Sequence, residues 1–166
     1  MSRLPFRVGY GYDIHRLVAG RLLILGGIKI DSKLGLEGHS DADCLTHAIA
    51  DSILGAVGLK DIGHYFPPTD PSIAGIDSQR ILKKAVEEAF ALGYSIGNVD
   101  ASIIAEKPKI IAYVASMKEV LAKTMGIDTE NVGIKATTHE GLGDLGAGLG
   151  IAASSVCLLI KNEPLS

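Results

Sequence analysis

Apolar residues recur along this chain with two different periods, and the switches between them outline its elements. Residues 7–15 alternate well enough for a strand. Leu22 to Leu25 and Ile28 to Ile30 flank Gly26-Gly27, a hairpin or bulge signal. Ser40 or Asp41 can cap a helix running to about Gly58, with Leu45, Ala48, Ile49, Ser52 and Ala56 marking its turns. Asp61 to Pro71 reads as a turn-rich loop holding Pro67 and Pro68. Asp77 or Ser78 caps a second helix, whose predicted buried stripe is Ile81, Leu82, Ala85, Ala89 and Phe90 before Gly93 stops it.

Ile96 to Ala105 reads as a strand with Val99, Ala101, Ile103 and Ala105 on one side. Pro108 is placed to start a third helix, with Val114, Met117, Val120 and Leu121 facing inward and Gly126 ending it. Val132 to Thr137 is a short strand, Thr138 to Gly150 a polar, glycine-rich loop, and Ile151 to Lys161 a final strand. The order β-β-α-α-β-α-β-β predicts an α+β fold, with helices on one face of a mixed four- to five-stranded sheet. Without repeat or linker, residues 1–166 read as a single catalytic domain.

Composition narrows the function. With 47% hydrophobic residues the chain is not disordered, and with 5% aromatics and no Trp its core is built from Ile, Leu, Val and Ala. A net charge of −3 argues against a nucleic-acid partner. An anionic ligand must therefore be neutralised locally. Cys44 and Cys157 lack a CxxC context and read as reduced thiols of a cytoplasmic protein. Met1 to Val8 has no apolar signal core, and the uncharged run Leu145 to Ile160 is too short and too glycine-rich to span a bilayer, so no membrane association is expected.

The chemistry concentrates in three residues. Asp13 and His15 stand two apart in a strand and so point to the same side. With His47 from a packed helix they can close three sides of a tetrahedron and leave the fourth open, as a catalytic zinc requires. Asp43, His47 and Asp51 fall on one helix face, and no Lys or Glu occurs between Ser40 and Leu59, a bias suited to a hard or borderline cation. Lys135-Ala136-Thr137-Thr138-His139-Glu140 supplies a cation, two hydroxyls and a carboxylate that can hold a phosphate and a magnesium ion. The glycines from 141 to 150 form neither a P-loop nor a dinucleotide fingerprint. Three functions fit these residues: a metal-assisted phosphoryl-transfer lyase, a zinc phosphohydrolase activating water, and a binding module with a structural metal.

Five separated segments together resemble the 2-C-methyl-D-erythritol 2,4-cyclodiphosphate synthase family. They are Gly9-Tyr-Gly-Tyr-Asp13-Ile-His15-Arg-Leu17, His39-Ser-Asp-Ala-Asp43 with His47, Asp61-Ile-Gly63 with Phe66-Pro67, Asn98-Val-Asp100, and Lys135-Ala-Thr-Thr138 with Glu140. The resemblance spans nearly the whole chain. It implies a lyase of non-mevalonate isoprenoid synthesis, converting 4-diphosphocytidyl-2-C-methyl-D-erythritol 2-phosphate to the cyclic diphosphate and CMP. It further implies zinc, or manganese, on Asp13, His15 and His47, and magnesium bridging the substrate phosphates with help from Glu140. His39 and Thr138 would stabilise the transition state, Ser40 would lie beside the phosphates, and Asp51 with Asp61-Ile62-Gly63 would meet the sugar-alcohol hydroxyls. Ala105, Lys107, Pro108, Lys109, Ile110 and Ile111 with Ala136 and Thr137 would form the cytidine pocket, with His139 a further substrate contact. A homotrimer with sites between neighbours is implied as well. The chain departs from the family pattern at Pro68, Asp144, Ala147 and Leu149. The last three stand where some members bind an isoprenoid diphosphate at the trimer axis, so the resemblance carries the catalytic set but not that ligand.

Overall fold

The computed structural model describes residues 4–162. Residues 1–3 and 163–166, which include the start of the Met1 to Val8 segment and both ends of the expected domain, lie outside the described residues. Among the described residues seven strands run β1 Phe6–Ala19, β2 Leu23–Leu25, β3 Ile28–Ile30, β4 Leu34–Leu36, β5 Tyr94–Ile104, β6 Val132–Thr137 and β7 Gly150–Lys161. The helices are α1 Cys44–Ala56, α2 Ile62–Tyr65, α3 Ser78–Ala91, α4 Val114–Met125 and α5 Gly143–Gly146. One five-stranded sheet has the order β4-β1-β7-β5-β6, and β2-β3 forms a separate ribbon. Among the described residues only β5 and β6 pair in parallel, with α4 in the crossover that parallel pairing requires. The single-domain α+β expectation holds, with five strands in the mixed sheet.

Strand β1 explains how a helix reaches the sheet closely enough to share a site with it. Its odd-numbered residues face α1 and its even-numbered residues face away. A Cβ on Gly9 would lie 1.8 Å from the Ser52 carbonyl oxygen, and one on Gly11 would lie 2.0 Å from that of Ala48. Only glycine lets the two backbones approach so far. α1 is then buried almost all round, with Leu45, Ala48, Ile49, Ile53 and Leu54 in the core.

Several expectations need correction. Ser40 and Asp41 do not cap α1; Asp43 does, accepting the Thr46 N–H at 3.0 Å. Its second oxygen takes the Thr46 hydroxyl at 2.6 Å and the Gly27 N–H at 2.7 Å, and Gly26 N–H donates to the first at 2.9 Å. Gly26 and Gly27, both at positive φ, make the tight turn between β2 and β3 that brings these donors to Asp43. Asp43 is thus a structural knot rather than part of a cation-binding face.

Pro108 does not open α4, which begins at Val114 after a 3-10 turn at Ile111–Tyr113. The intervening loop instead turns Ile110 into the core. Met117 and Leu121 face inward as expected, whereas Val114 and Val120 are only half-buried. Phe90 is 66% exposed. It lies nine residues beyond Ile81, two and a half turns and so on the opposite side of α3. The short helices α2 and α5 lie in segments read as loops, and strand β4 in one assigned no element; each is three or four residues long, below the reach of periodicity.

Candidate active site

Asp13, His15 and His47 converge. One ligand atom from each lies within 4.8 Å of the others, and no other group of three such residues does so among the described residues. Asp13 Oδ2 is 3.0 Å from His15 Nε2 and 2.9 Å from His47 Nδ1. Its other oxygen accepts the Ile14 N–H at 2.9 Å, which turns Oδ2 toward the histidines. His15 Nδ1 lies 2.6 Å from the Glu37 carbonyl. A carbonyl only accepts, so Nδ1 carries a proton, and Nε2, which donates to Asp13 in the metal-free site, is the nitrogen that exchanges its proton for a cation.

Burial opposes ionisation of Asp13, but hydrogen bonds from both histidines and their charges outweigh it and hold the carboxyl well below the usual carboxylate range. For His15, burial acts downward, yet the bond to Asp13 and its charge leave the imidazole above its ordinary value. One carboxylate oxygen and two imidazole nitrogens are the donor set of a zinc-type centre with a fourth position for substrate. The donors fit the expected divalent ion.

The triad lies in a cleft of about 330 Å³ shared with His39, Ser40, Ile62 and Gly63. Ser40 is buried and His39 exposed. Phe66 and Pro68, one in a resemblance segment and the other a departure from the family pattern, supply an apolar wall together with Ile73, which was not singled out in the sequence. Asp51 and Asp61 line a neighbouring hollow of about 250 Å³ instead, beside Tyr10 and Tyr12. Asp51 accepts the Ile62 N–H at 2.8 Å. Burial raises its carboxyl pKa, the Ile62 bond opposes that, and the nearby Asp61 charge adds to it. Asp61 caps α2, accepting the His64 N–H at 3.2 Å.

The remaining predicted residues gather elsewhere. Both segments follow the parallel pair β5 and β6 at its C-terminal ends, where α/β ligand sites commonly lie. Ala105 N–H donates to the Thr137 carbonyl at 3.0 Å and His139 N–H to Glu106 Oε1 at 2.8 Å, which ties the two segments together. Lys107 and Pro108 line a cavity of about 450 Å³ with Leu17, Leu34 and Ala147. Ala105 and Ile110 are buried, Ala136 is half-buried, and Lys109, Ile111, Thr137, Thr138, His139 and Glu140 are exposed. Glu140 takes a positive φ of 52°, its N–H donating to Thr138 Oγ1 at 3.2 Å. The structure does not bring Glu140 into the Asp13 cluster. Lys135 also departs from expectation. It pairs with Asp100 on the sheet rather than joining the hydroxyls that follow it.

Fold and donor set together define an α+β protein with a candidate metal centre of the kind metal-dependent enzymes use. The model of the YgbB family matches residues 6–160. A 2-C-methyl-D-erythritol 2,4-cyclodiphosphate synthase from Synechococcus elongatus is 53% identical over 162 residues, covering 98% of this chain and 100% of the relative. Among solved structures, a Plasmodium falciparum IspF in complex with CDP superposes with a TM-score of 0.85 at 36% identity, over 98% of this chain and 100% of that one. The bifunctional IspDF of Campylobacter jejuni gives a TM-score of 0.92 at 35% identity over 95% of this chain, which spans 43% of that longer protein. The chain belongs to the YgbB family, that of the 2-C-methyl-D-erythritol 2,4-cyclodiphosphate synthases.

Proposed function

We propose that this chain, as one catalytic domain over residues 1–166, converts 4-diphosphocytidyl-2-C-methyl-D-erythritol 2-phosphate to 2-C-methyl-D-erythritol 2,4-cyclodiphosphate and CMP. The observation that carries the reading is the convergence of Asp13, His15 and His47 in a cleft of a chain of this family. The nucleophile is the substrate's own 2-phosphate, which is anionic near neutral pH, so no activated Ser or Cys is required. The bond from the β phosphorus to the CMP oxygen breaks as the ring-closing bond forms.

When bound, zinc or manganese on the triad and magnesium beside Glu140 supply the positive charge that this acidic chain lacks at the phosphates. Glu140, an exposed carboxylate, suits an ion held mostly by phosphate oxygens. His39 and Thr138 orient the phosphates, with Ser40 and His139 beside them. Asp51, Asp61, Ile62 and Gly63 hold the methylerythritol hydroxyls. The cytidine sits against Ala105, Lys107, Pro108, Lys109, Ile110 and Ile111, closed by Ala136 and Thr137. The CDP complex of the Plasmodium relative supports a cytidine diphosphate ligand.

A homotrimer with shared sites accounts for two features. Val8 and Tyr10 are 64% and 63% exposed, and Phe6, Tyr12, Ile14, Val156 and Ile160 extend the same apolar sheet face. The metal cleft and the Lys107 cavity have no lining residue in common, as expected if neighbours pair one with the other. No described helix is long and apolar enough to cross a membrane. Buried, unpaired Cys44 and Cys157 support a cytoplasmic protein.

Incubation of the purified chain with zinc, magnesium and substrate is expected to release CMP and the cyclic diphosphate without oxygen-18 from solvent. Linear products carrying solvent oxygen would replace this reading with a water-activating phosphohydrolase.

A further inference from the structure

His47 is held from behind as well as in front. Ser78, the first residue of α3, is fully buried, and its Oγ lies 2.8 Å from His47 Nε2. The same hydroxyl hydrogen-bonds Asp41 Oδ1, while Asp41 Oδ2 accepts the Ser78 N–H at 3.0 Å. Asp41 Oδ1 also accepts the Asp43 N–H at 3.2 Å, so the carboxylate is fixed from both the α1 and the α3 side.

The hydroxyl has one proton to give, and a carboxylate can only accept it. Once Ser78 donates to Asp41, its lone pair is what remains for His47. Nε2 must then carry a ring proton, and Nδ1, the nitrogen 2.9 Å from Asp13, is the one that can exchange its hydrogen bond to the carboxylate for an ion. Ser78 is not needed as a helix cap, because Asp77 accepts the Gln79 N–H at 2.8 Å. Ser40 offers a longer alternative at 3.3 Å, while its oxygen accepts the Ala42 N–H at 3.0 Å.

We infer that Asp41 and Ser78 are positioning residues which fix the tautomer and ring orientation of His47 and thereby set metal affinity, sparing the Ser40 hydroxyl for the substrate. This rests on the metal-centre reading above. Groups one step behind a ligand change metal affinity about 10- to 100-fold when removed.

The test measures zinc affinity by chelator competition and the visible spectrum of the cobalt-substituted protein. Ser78→Ala is expected to weaken zinc binding about 10- to 100-fold and to alter the cobalt bands. The metal-free variant should still melt within about 8 °C of the metal-free parent, as expected for the loss of the two hydrogen bonds the Ser78 hydroxyl makes. Asp41→Asn, nearly isosteric, is expected to weaken zinc several-fold, and Ser40→Ala to leave affinity within twofold. Unchanged affinity in both Ser78→Ala and Asp41→Asn overturns the inference, as does a larger loss in Ser40→Ala than in Ser78→Ala. If Ser78→Ala does not fold, Asp41→Asn against Ser40→Ala decides. A parent chain that binds no zinc defeats the metal-centre reading itself, which is a separate result.

Discussion

The two halves of the proposed site are built differently. The metal corner is packed: His47 is 5% exposed, Asp13 and His15 are half-buried, and each donor is aimed by a backbone or side-chain hydrogen bond. The nucleotide half, by contrast, leaves Thr137 exposed at the end of an edge strand and Thr138, His139 and Glu140 exposed on the turn that follows. Donor geometry that must match one ion to a fraction of an ångström is carried by the core. On the proposed reading, groups that meet a large ligand wait at the surface, to be covered by that ligand and a neighbouring copy.

That contrast can be broken at several points. The largest effect is expected from His47→Ala, which should remove bound zinc and lower CMP release about a thousandfold; metal analysis of the purified variant reads the first and product chromatography the second. Full activity would remove His47 from the metal half. Val8→Asp places a charge on the open sheet face, away from the triad. Sedimentation should then find single chains that retain zinc but turn over about a hundredfold more slowly, the cost of a mispositioned nucleotide half. Zinc lost along with assembly would mean the two halves are not separable.

Glu140→Gln should lower the rate about thirtyfold without moving the melting temperature, since an exposed side chain holds little of the fold together. Raising magnesium should recover part of the loss. The smallest effect concerns pH. Asp13 holds His15 above its ordinary pKa in the metal-free site, so protons compete with zinc for Nε2. Zinc affinity should be unaffected above that raised pKa and fall about tenfold per unit as pH drops below it, in calorimetric titrations. A flat profile would mean the nitrogen is not a ligand.

Much of this was legible in the residues. Alternation in β1 put Asp13 and His15 on one side, and the Gly26-Gly27 turn and the stripe of α1 were readable from local chemistry. The resemblance, rather than the periodicity, carried the nucleotide half. What escaped were interactions between distant segments. Nothing near Asp43 reveals that its carboxylate serves the β2-β3 turn, and the Glu37 carbonyl that aims His15 has no side-chain signature. Lys135 looked like a phosphate group's partner because Asp100 stands far away in sequence but on the adjacent strand. Phe90 failed for a simpler reason, an error in helical phase.

Gly9 and Gly11 carry no reactive atom, yet the absence of two methyl groups sets how far the imidazole of α1 stands from the carboxylate of β1. Chemical identity and catalytic importance are therefore uncoupled along this strand. An alanine at either position would mimic a ligand deletion in an activity screen, although every donor atom were still encoded.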